Sequence, residues 1–224
     1  EKKVIHTVPT FTDPNLGHTD EDGNPNWNAG LNLVSRAKLN QRKIWTIGEE
    51  LDNTSYIGVQ ENAWNNWNEG NSGKIQTELE RLGNEIVDYH SATTACGDHD
   101  DVKGLINFMR GDDYFNYKGV CGTIDETRNR VMGDIYHSQL IEIGAPEAST
   151  NYSNTNEEAY WRHLNNYNSE FKASHSDRKR ILYAGSNSGM LHAFDALTGH
   201  EEWAFIPPFM AGILPTIMNS SLLG

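Results

Sequence analysis

Asp134, His137 and Ser138 stand close together in the run Gly133-Asp134-Ile135-Tyr136-His137-Ser138. A carboxylate, an imidazole and a hydroxyl are the parts of a nucleophilic relay. Read as a strand, the run puts Asp134, Tyr136 and Ser138 on one face and His137 on the other, so no triad assembles locally. The expectation is a buried, hydrogen-bonded structural cluster. A second group, Asp20-Glu21-Asp22-Gly23-Asn24, offers oxygen ligands at alternate positions, as a calcium loop does. Asp20, Asp22 and Asn24 are the candidate ligands. Position 31 is Leu where an EF-hand needs its bidentate Glu, and Gly23 comes too early, so an ordinary polar turn is the competing reading. Asp98-His99-Asp100-Asp101 is also acidic, and a helix N-terminus that favours Asp explains it as well as a metal does.

Cys96 and Cys121 are the only cysteines. A disulfide between them would close a loop of about 25 residues and stabilise it by roughly 3 kcal/mol in the chain-entropy account. Two unrelated thiols are the alternative. The absence of Cys-x-x-Cys removes support for zinc ribbons, thioredoxin-like redox sites and c-type haem attachment. Trp64 and Trp67, among Asn residues, suit either contact with a glycan or partner or the small core of an insertion.

These residues need elements to hold them. The clearest are in 181–206, three short strands joined by two tight turns, Ser186-Asn187-Ser188-Gly189 and Leu197-Thr198-Gly199-His200. Gly189 and Gly199 supply turn conformations. Asp195 is placed to accept hydrogen bonds from turn amides near Thr198 and Gly199. Trp203 offers a flat face for packing. Short strands with a Gly and an aromatic at set places are the composition of a β-propeller blade. Upstream, apolar spacing predicts helices over 27–36, 74–90, the end of 98–109 and 160–171, and strands over 1–12, 42–47 and 131–144. A polar loop covers 13–28, a decorated loop 48–73 and a flexible loop 147–158. A short helix broken at Pro215 is expected over 209–219.

The 224 residues are polar, 37% hydrophobic with a mean hydropathy of −0.66. Asp and Glu outnumber Lys and Arg 31 to 18, a net charge of −13. That argues against binding a phosphate backbone, and hence against nucleic acid as a partner. No apolar run reaches the length of a membrane-spanning helix. Both ends read as those of a mature fragment or one piece of a split protein: Lys3 to Val8 resembles a strand already under way, and no signal peptide stands at Glu1.

Four motifs, in order, carry a family resemblance. Phe108-Met109-Arg110-Gly111-Asp112-Asp113 comes first, then Arg130-Val131-Met132-Gly133-Asp134-Ile135-Tyr136-His137-Ser138. Ile143-Gly144-Ala145-Pro146 follows, and then the run from Tyr183 to Asp195, YAGSNSGMLHAFD. Together they resemble the C-terminal propeller region of the PilC/PilY family, the pilus tip-associated adhesins and assembly factors of Gram-negative bacteria. Trp27-Asn28-Ala29-Gly30 and Arg42-Lys43-Ile44-Trp45-Thr46 are weaker echoes. The strong resemblance covers about 105–215.

The resemblance implies a chain that is mainly β with helical insertions: an incomplete β-propeller with a PQQ-like blade, completed by missing residues or by another chain. Residues 1–104 would be its lead-in and 105–224 the start of the propeller. It implies a non-catalytic, exported protein at the cell surface or pilus tip, acting in adhesion and pilus assembly. Minor pilins of the tip complex and a host or mineral surface would be its partners; calcium as a cofactor is read from Asp20, Asp22 and Asn24 alone and not from the resemblance. The run Ala193 to Trp203 is also similar to the repeat of quinoprotein dehydrogenases, but a quinone site needs several blades to converge. A structural subunit of a surface filament is the third reading.

Overall fold

The computed structural model describes residues 26–38, 41–48, 66–81, 101–112 and 130–221. Five strands form one mixed sheet: β1 (Ile44–Trp45), β2 (Ile141–Ile143), β3 (Ile181–Gly185), β4 (Leu191–Asp195) and β5 (Glu201–Phe205). Their spatial order is β1-β5-β4-β3-β2. From β2 to β5 the sheet is an antiparallel meander, and β1 adds in parallel to β5. The strands of 181–206 form where turn chemistry and alternation predict them. A closed propeller is not among the described residues; the sheet with helical parts is.

Pairing register sorts the side chains onto two faces. Leu182, Ala184, His192, Phe194, Ala204 and Ile44 point inward and are buried. Helices and flanking segments supply what packs against them. Helix α1 (Ala29–Lys38) brings Ala29, Leu33 and Ala37, one helical stripe, into a cluster with Trp27, Leu182, Ala184 and Phe194. Helices α2 (Ser72–Arg81) and α3 (Asp101–Arg110) bring Ile75, Leu79, Leu105, Ile106 and Met109 into a second cluster with Ile44, Ala204 and Ile206. Asn28 starts α1: its Oδ1 accepts the Leu31 amide at 3.1 Å, a typical N-cap bond.

Several elements differ from the sequence expectation. The segment 131–144 is a strand only over Ile141–Ile143. Gly133 presses so closely on the next hairpin that a Cβ there would lie 2.5 Å from the Ser188 nitrogen, and this docking replaces a ladder. The helix expected over 160–171 is α4 (Glu158–Leu164), broken at Asn166, whose φ is +53°, and followed by a π-helical turn at Asn168–Lys172. The C-terminal helix breaks at Gly212–Ile213, between α5 (Pro208–Ala211) and α6 (Leu214–Ser221). Pro215 therefore sits in the first turn of α6, where its missing N–H costs nothing. Among the described residues no helix is long and apolar enough to cross a membrane.

The strand at β1 is only two residues long, shorter than 42–47, because a side chain takes over from the ladder. Asn66 Oδ1 accepts the Thr46 amide and Asn66 Nδ2 donates to the Thr46 carbonyl, each at 2.8 Å. Trp67 is buried in the core; Trp64 lies outside the described residues.

Candidate functional site

The most developed polar arrangement lies under the inner face of the sheet. Arg42, just before β1, donates from Nε and Nη2 to the two carboxylate oxygens of Glu201 at 2.8 and 2.9 Å. Glu201 Oε1 also lies 2.8 Å from His192 Nδ1. On the far side of the ring, His192 Nε2 is 3.0 Å from Ser186 Oγ. Arg42, His192 and Glu201 are buried, and Ser186 is half-buried in the β3–β4 turn. Arg110 extends the arrangement from the end of α3, donating to the carbonyls of Trp67 (3.1 Å) and Arg42 (3.0 Å).

The order Ser–His–Glu has the connectivity of a nucleophilic relay. The remaining contacts show what it does here. Ser186 Oγ is also 2.6 Å from Ser188 Oγ and 3.3 Å from the Met190 carbonyl, so its hydrogen-bonding capacity is used within the turn. Glu201 is shared with a guanidinium that neutralises it. The arrangement satisfies buried polar groups and ties the meander to the segment before β1. Burial alone would raise the Glu201 carboxyl; the Arg42 charge and the donors from His192 and Arg42 outweigh that and hold it at about 2. Burial, then the neighbouring Arg42 charge, bring Arg110 down to about 10.

Asp195 organises the second turn. Its Oδ1 accepts the amides of Leu197 (2.8 Å) and Thr198 (3.1 Å), while the Gly199 amide goes to the Asp195 carbonyl (2.8 Å). Desolvation pushes the Asp195 carboxyl up, and those two amides with Lys179 bring it below its ordinary value. Gly199 has φ +68°, and a Cβ there would lie 2.2 Å from the Trp27 ring. Trp27 Nε1 in turn donates to the Ala196 carbonyl at 3.1 Å, so the turn and α1 are locked together. Gly189 closes the first turn with φ +82°. Trp203 is half-buried on the outer face, its ring 5.8 Å from Tyr183.

Asp134, His137 and Ser138 are all exposed, and no hydrogen bond joins their side chains. They act separately on the first hairpin. The Asp134 carbonyl accepts the Asn187 amide at 2.8 Å, and Ser138 Oγ accepts the Gly185 amide at 3.0 Å. His137 packs edge-on against Tyr136. Asp20, Asp22, Asn24, Cys96 and Cys121 lie outside the described residues, as do Asp98 to Asp100; Asp101 opens α3. Among the described residues, no group of three or more His, Cys, Asp or Glu side chains is placed to hold a metal.

The outer face of the sheet has a different character. Ile141, Ile143, Tyr183, Leu191, Trp203, Phe205 and Trp45 share it by register, and all are half-buried or exposed. Trp45 and Phe205 pack at 4.4 Å between ring centroids. Polar sequence reasoning missed the Arg42–Glu201–His192 arrangement; an Arg just ahead of one strand and a Glu opening another was the signal available.

Fold and site together describe a meander whose polar residues serve its own architecture and whose outer face is aromatic. Comparison with known proteins places it. No family model and no solved structure matches. A type IV pilus biogenesis factor PilY1 homolog of Xylella fastidiosa is 39% identical over 104 residues, 46% of this chain and 8% of that protein. The type IV pilus biogenesis factor PilY1 of Pseudomonas aeruginosa strain UCBPP-PA14 is 31% identical over 175 residues, 73% of this chain and 13% of that protein. That of strain PAK is 30% identical over 81% of this chain. The chain belongs to the PilY1 family of type IV pilus biogenesis factors. It spans 8% to 15% of the length of the curated relatives it matches.

Proposed function

We propose that this chain works in type IV pilus biogenesis as a non-catalytic part of an adhesin and assembly factor at the pilus tip. The observation that carries this reading is the kinship with PilY1 proteins over most of the chain. The aromatic outer face supports a finer point. A sheet that buries one face and leaves Tyr183, Trp203 and Phe205 half-exposed on the other is one layer of a stack. The four antiparallel strands β2 to β5 are then a PQQ-like propeller blade within 105–224, led into by 1–104. Further residues or a second chain supply the neighbouring blades. Minor pilins and a host or mineral surface are the partners, and the pilus tip outside the cell is the location.

The test is genetic and structural together. In the source bacterium, deletion of the chain removes surface pili counted by electron microscopy, and tagged protein recovers minor pilins from the envelope. Normal pili after deletion would sink the reading. Tyr183→Asp with Trp203→Asp tests the stacked face: assembly fails while the purified protein keeps its far-ultraviolet spectrum. Calcium at Asp20, Asp22 and Asn24 and a Cys96–Cys121 disulfide belong to the same proposal. Native mass spectrometry before and after chelation and reduction reads both.

A further inference from the structure

We infer that Asn151 is an acceptor for an N-linked oligosaccharide. The triplet Asn151-Tyr152-Ser153 has the Asn-x-Ser pattern such transfer requires, a pattern that is informative only on an exposed loop. The structure discriminates among the triplets of this kind. Asn219-Ser220-Ser221 falls in the last turns of α6, and Asn53-Thr54-Ser55 lies outside the described residues. Asn151, Tyr152 and Ser153 are all exposed, in non-helical backbone ahead of α4.

Its surroundings leave the carboxamide available. The Asn151 amide N–H donates to Ser149 Oγ at 3.0 Å, while its side chain makes no hydrogen bond. Tyr152 packs its ring against Tyr160 and His163, which anchors the middle of the triplet and leaves Asn151 beside it in solvent.

The whole segment stands apart from the sheet. The side-chain hydrogen bonds of 147–178 close on the segment itself: the Ala148 amide to Tyr167 Oη (3.2 Å), Arg162 Nε to the Ser149 carbonyl (2.8 Å), Asn168 Nδ2 to Thr150 Oγ1 (3.0 Å). A bulky sugar here displaces no core contact. The Ser153 hydroxyl is engaged, donating to Glu157 Oε1 at 2.5 Å. Because the transferase reads that hydroxyl, transfer belongs before this contact closes, on the newly exported chain.

The chemistry balances with one co-reactant, a lipid diphosphate-linked oligosaccharide. Asn151 Nδ2 bonds to the anomeric carbon, the bond from that carbon to the diphosphate oxygen breaks, and the lipid diphosphate leaves with the electron pair. The amide nitrogen loses one proton to a base of the transferase.

This inference rests on the surface location proposed above. The protein is isolated from the envelope of its source bacterium, digested, and the Asn151 peptide sequenced by mass spectrometry. The expected result is a sugar mass on Asn151, released by a glycan amidase that leaves Asp. Asn151→Gln and Ser153→Ala lose it; Ser153→Thr keeps it. Bare Asn151 in envelope protein, sugar on Ser149, Thr150 or Ser153 instead, or a sugar surviving Ser153→Ala overturns the inference. Fractionation separates the two readings: protein found only in the cytoplasm overturns the surface assignment as well, whereas envelope protein with bare Asn151 overturns the glycan alone.

Discussion

Arg42 and Glu201, 159 positions apart in the chain, meet as a bidentate ion pair with both side chains out of water. The pair joins the segment before β1 to the first residue of β5, and His192 from β4 makes the second claim on the same carboxylate. Removing one partner of such a pair leaves a buried charge with nothing to compensate it. Arg42→Met is expected to cost about 3–5 kcal/mol in urea unfolding. Glu201→Leu alone is expected to cost as much, and the double substitution less than the sum. A single substitution costing under ~1 kcal/mol would show that the pair does not hold the sheet together.

Acid should expose the same pair. The Glu201 carboxyl is held at about 2 against an ordinary 4.5, so its contribution to stability is complete above 4.5 and fades as pH falls towards 2. Asp195, also lowered, acts in the same direction. The urea midpoint of the wild type is expected to drop across that window. Glu201→Gln should start lower and fall less steeply; equal slopes would be inconsistent with a depressed Glu201.

Two glycines make opposite predictions. At Gly199 an Ala must adopt φ +68° and push its Cβ into the Trp27 ring, so Gly199→Ala is expected to cost well over about 1 kcal/mol. At Gly73, in α2, an added Cβ meets nothing within 4 Å. Gly73→Ala should raise stability by about 0.5–1 kcal/mol. Thermal melts of the two variants are expected to move to opposite sides of the wild type.

The turn carboxylate is separable from its surface partner. Asp195→Ala removes the acceptor of two backbone amides and is expected to cost about 1–2 kcal/mol. Asp195→Asn keeps an acceptor oxygen and should cost less. Lys179, 55% exposed, pairs with Asp195 and Glu202, and those partners raise its pKa. Its replacement by Ala should change stability by under about 1 kcal/mol. A Lys179 effect as large as that of Asp195 would mean the ion pair, and not the amides, holds the turn.

Local rules made part of this protein legible from its residues. The hairpins of 181–206 follow from alternation and from Gly and Asn at positions that need unusual φ, both nearest-neighbour properties. The stripe Val102, Leu105, Ile106 and Met109 follows from helical period. In α1 the spacing points to Leu31, Val34 and Ala37, but the fold buries Ala29, Leu33 and Ala37 and leaves Leu31 and Val34 half-buried, because the angle at which the helix meets the sheet selects its face. Family membership was legible too, because motifs in order survive where overall identity is near 30%. The run 131–144 misled for a physical reason. Its alternation is that of a strand, but Gly133 and Ser138 spend their backbone and side chain on docking to the Ser188 turn and Gly185, and only Ile141–Ile143 finds a partner edge.

The residues alone determined the turns, the apolar stripe of α3, the acidic composition and the kinship. Tertiary structure decided the rest. It recruited β1 in parallel beside β5, drew Arg42 and His192 onto Glu201, and left Tyr183 and Trp203 facing outward. Burial creates that division: a charge at Arg42 or Glu201 reads from sequence as solvated surface, and only the fold that removes both from water makes each the other's necessary partner.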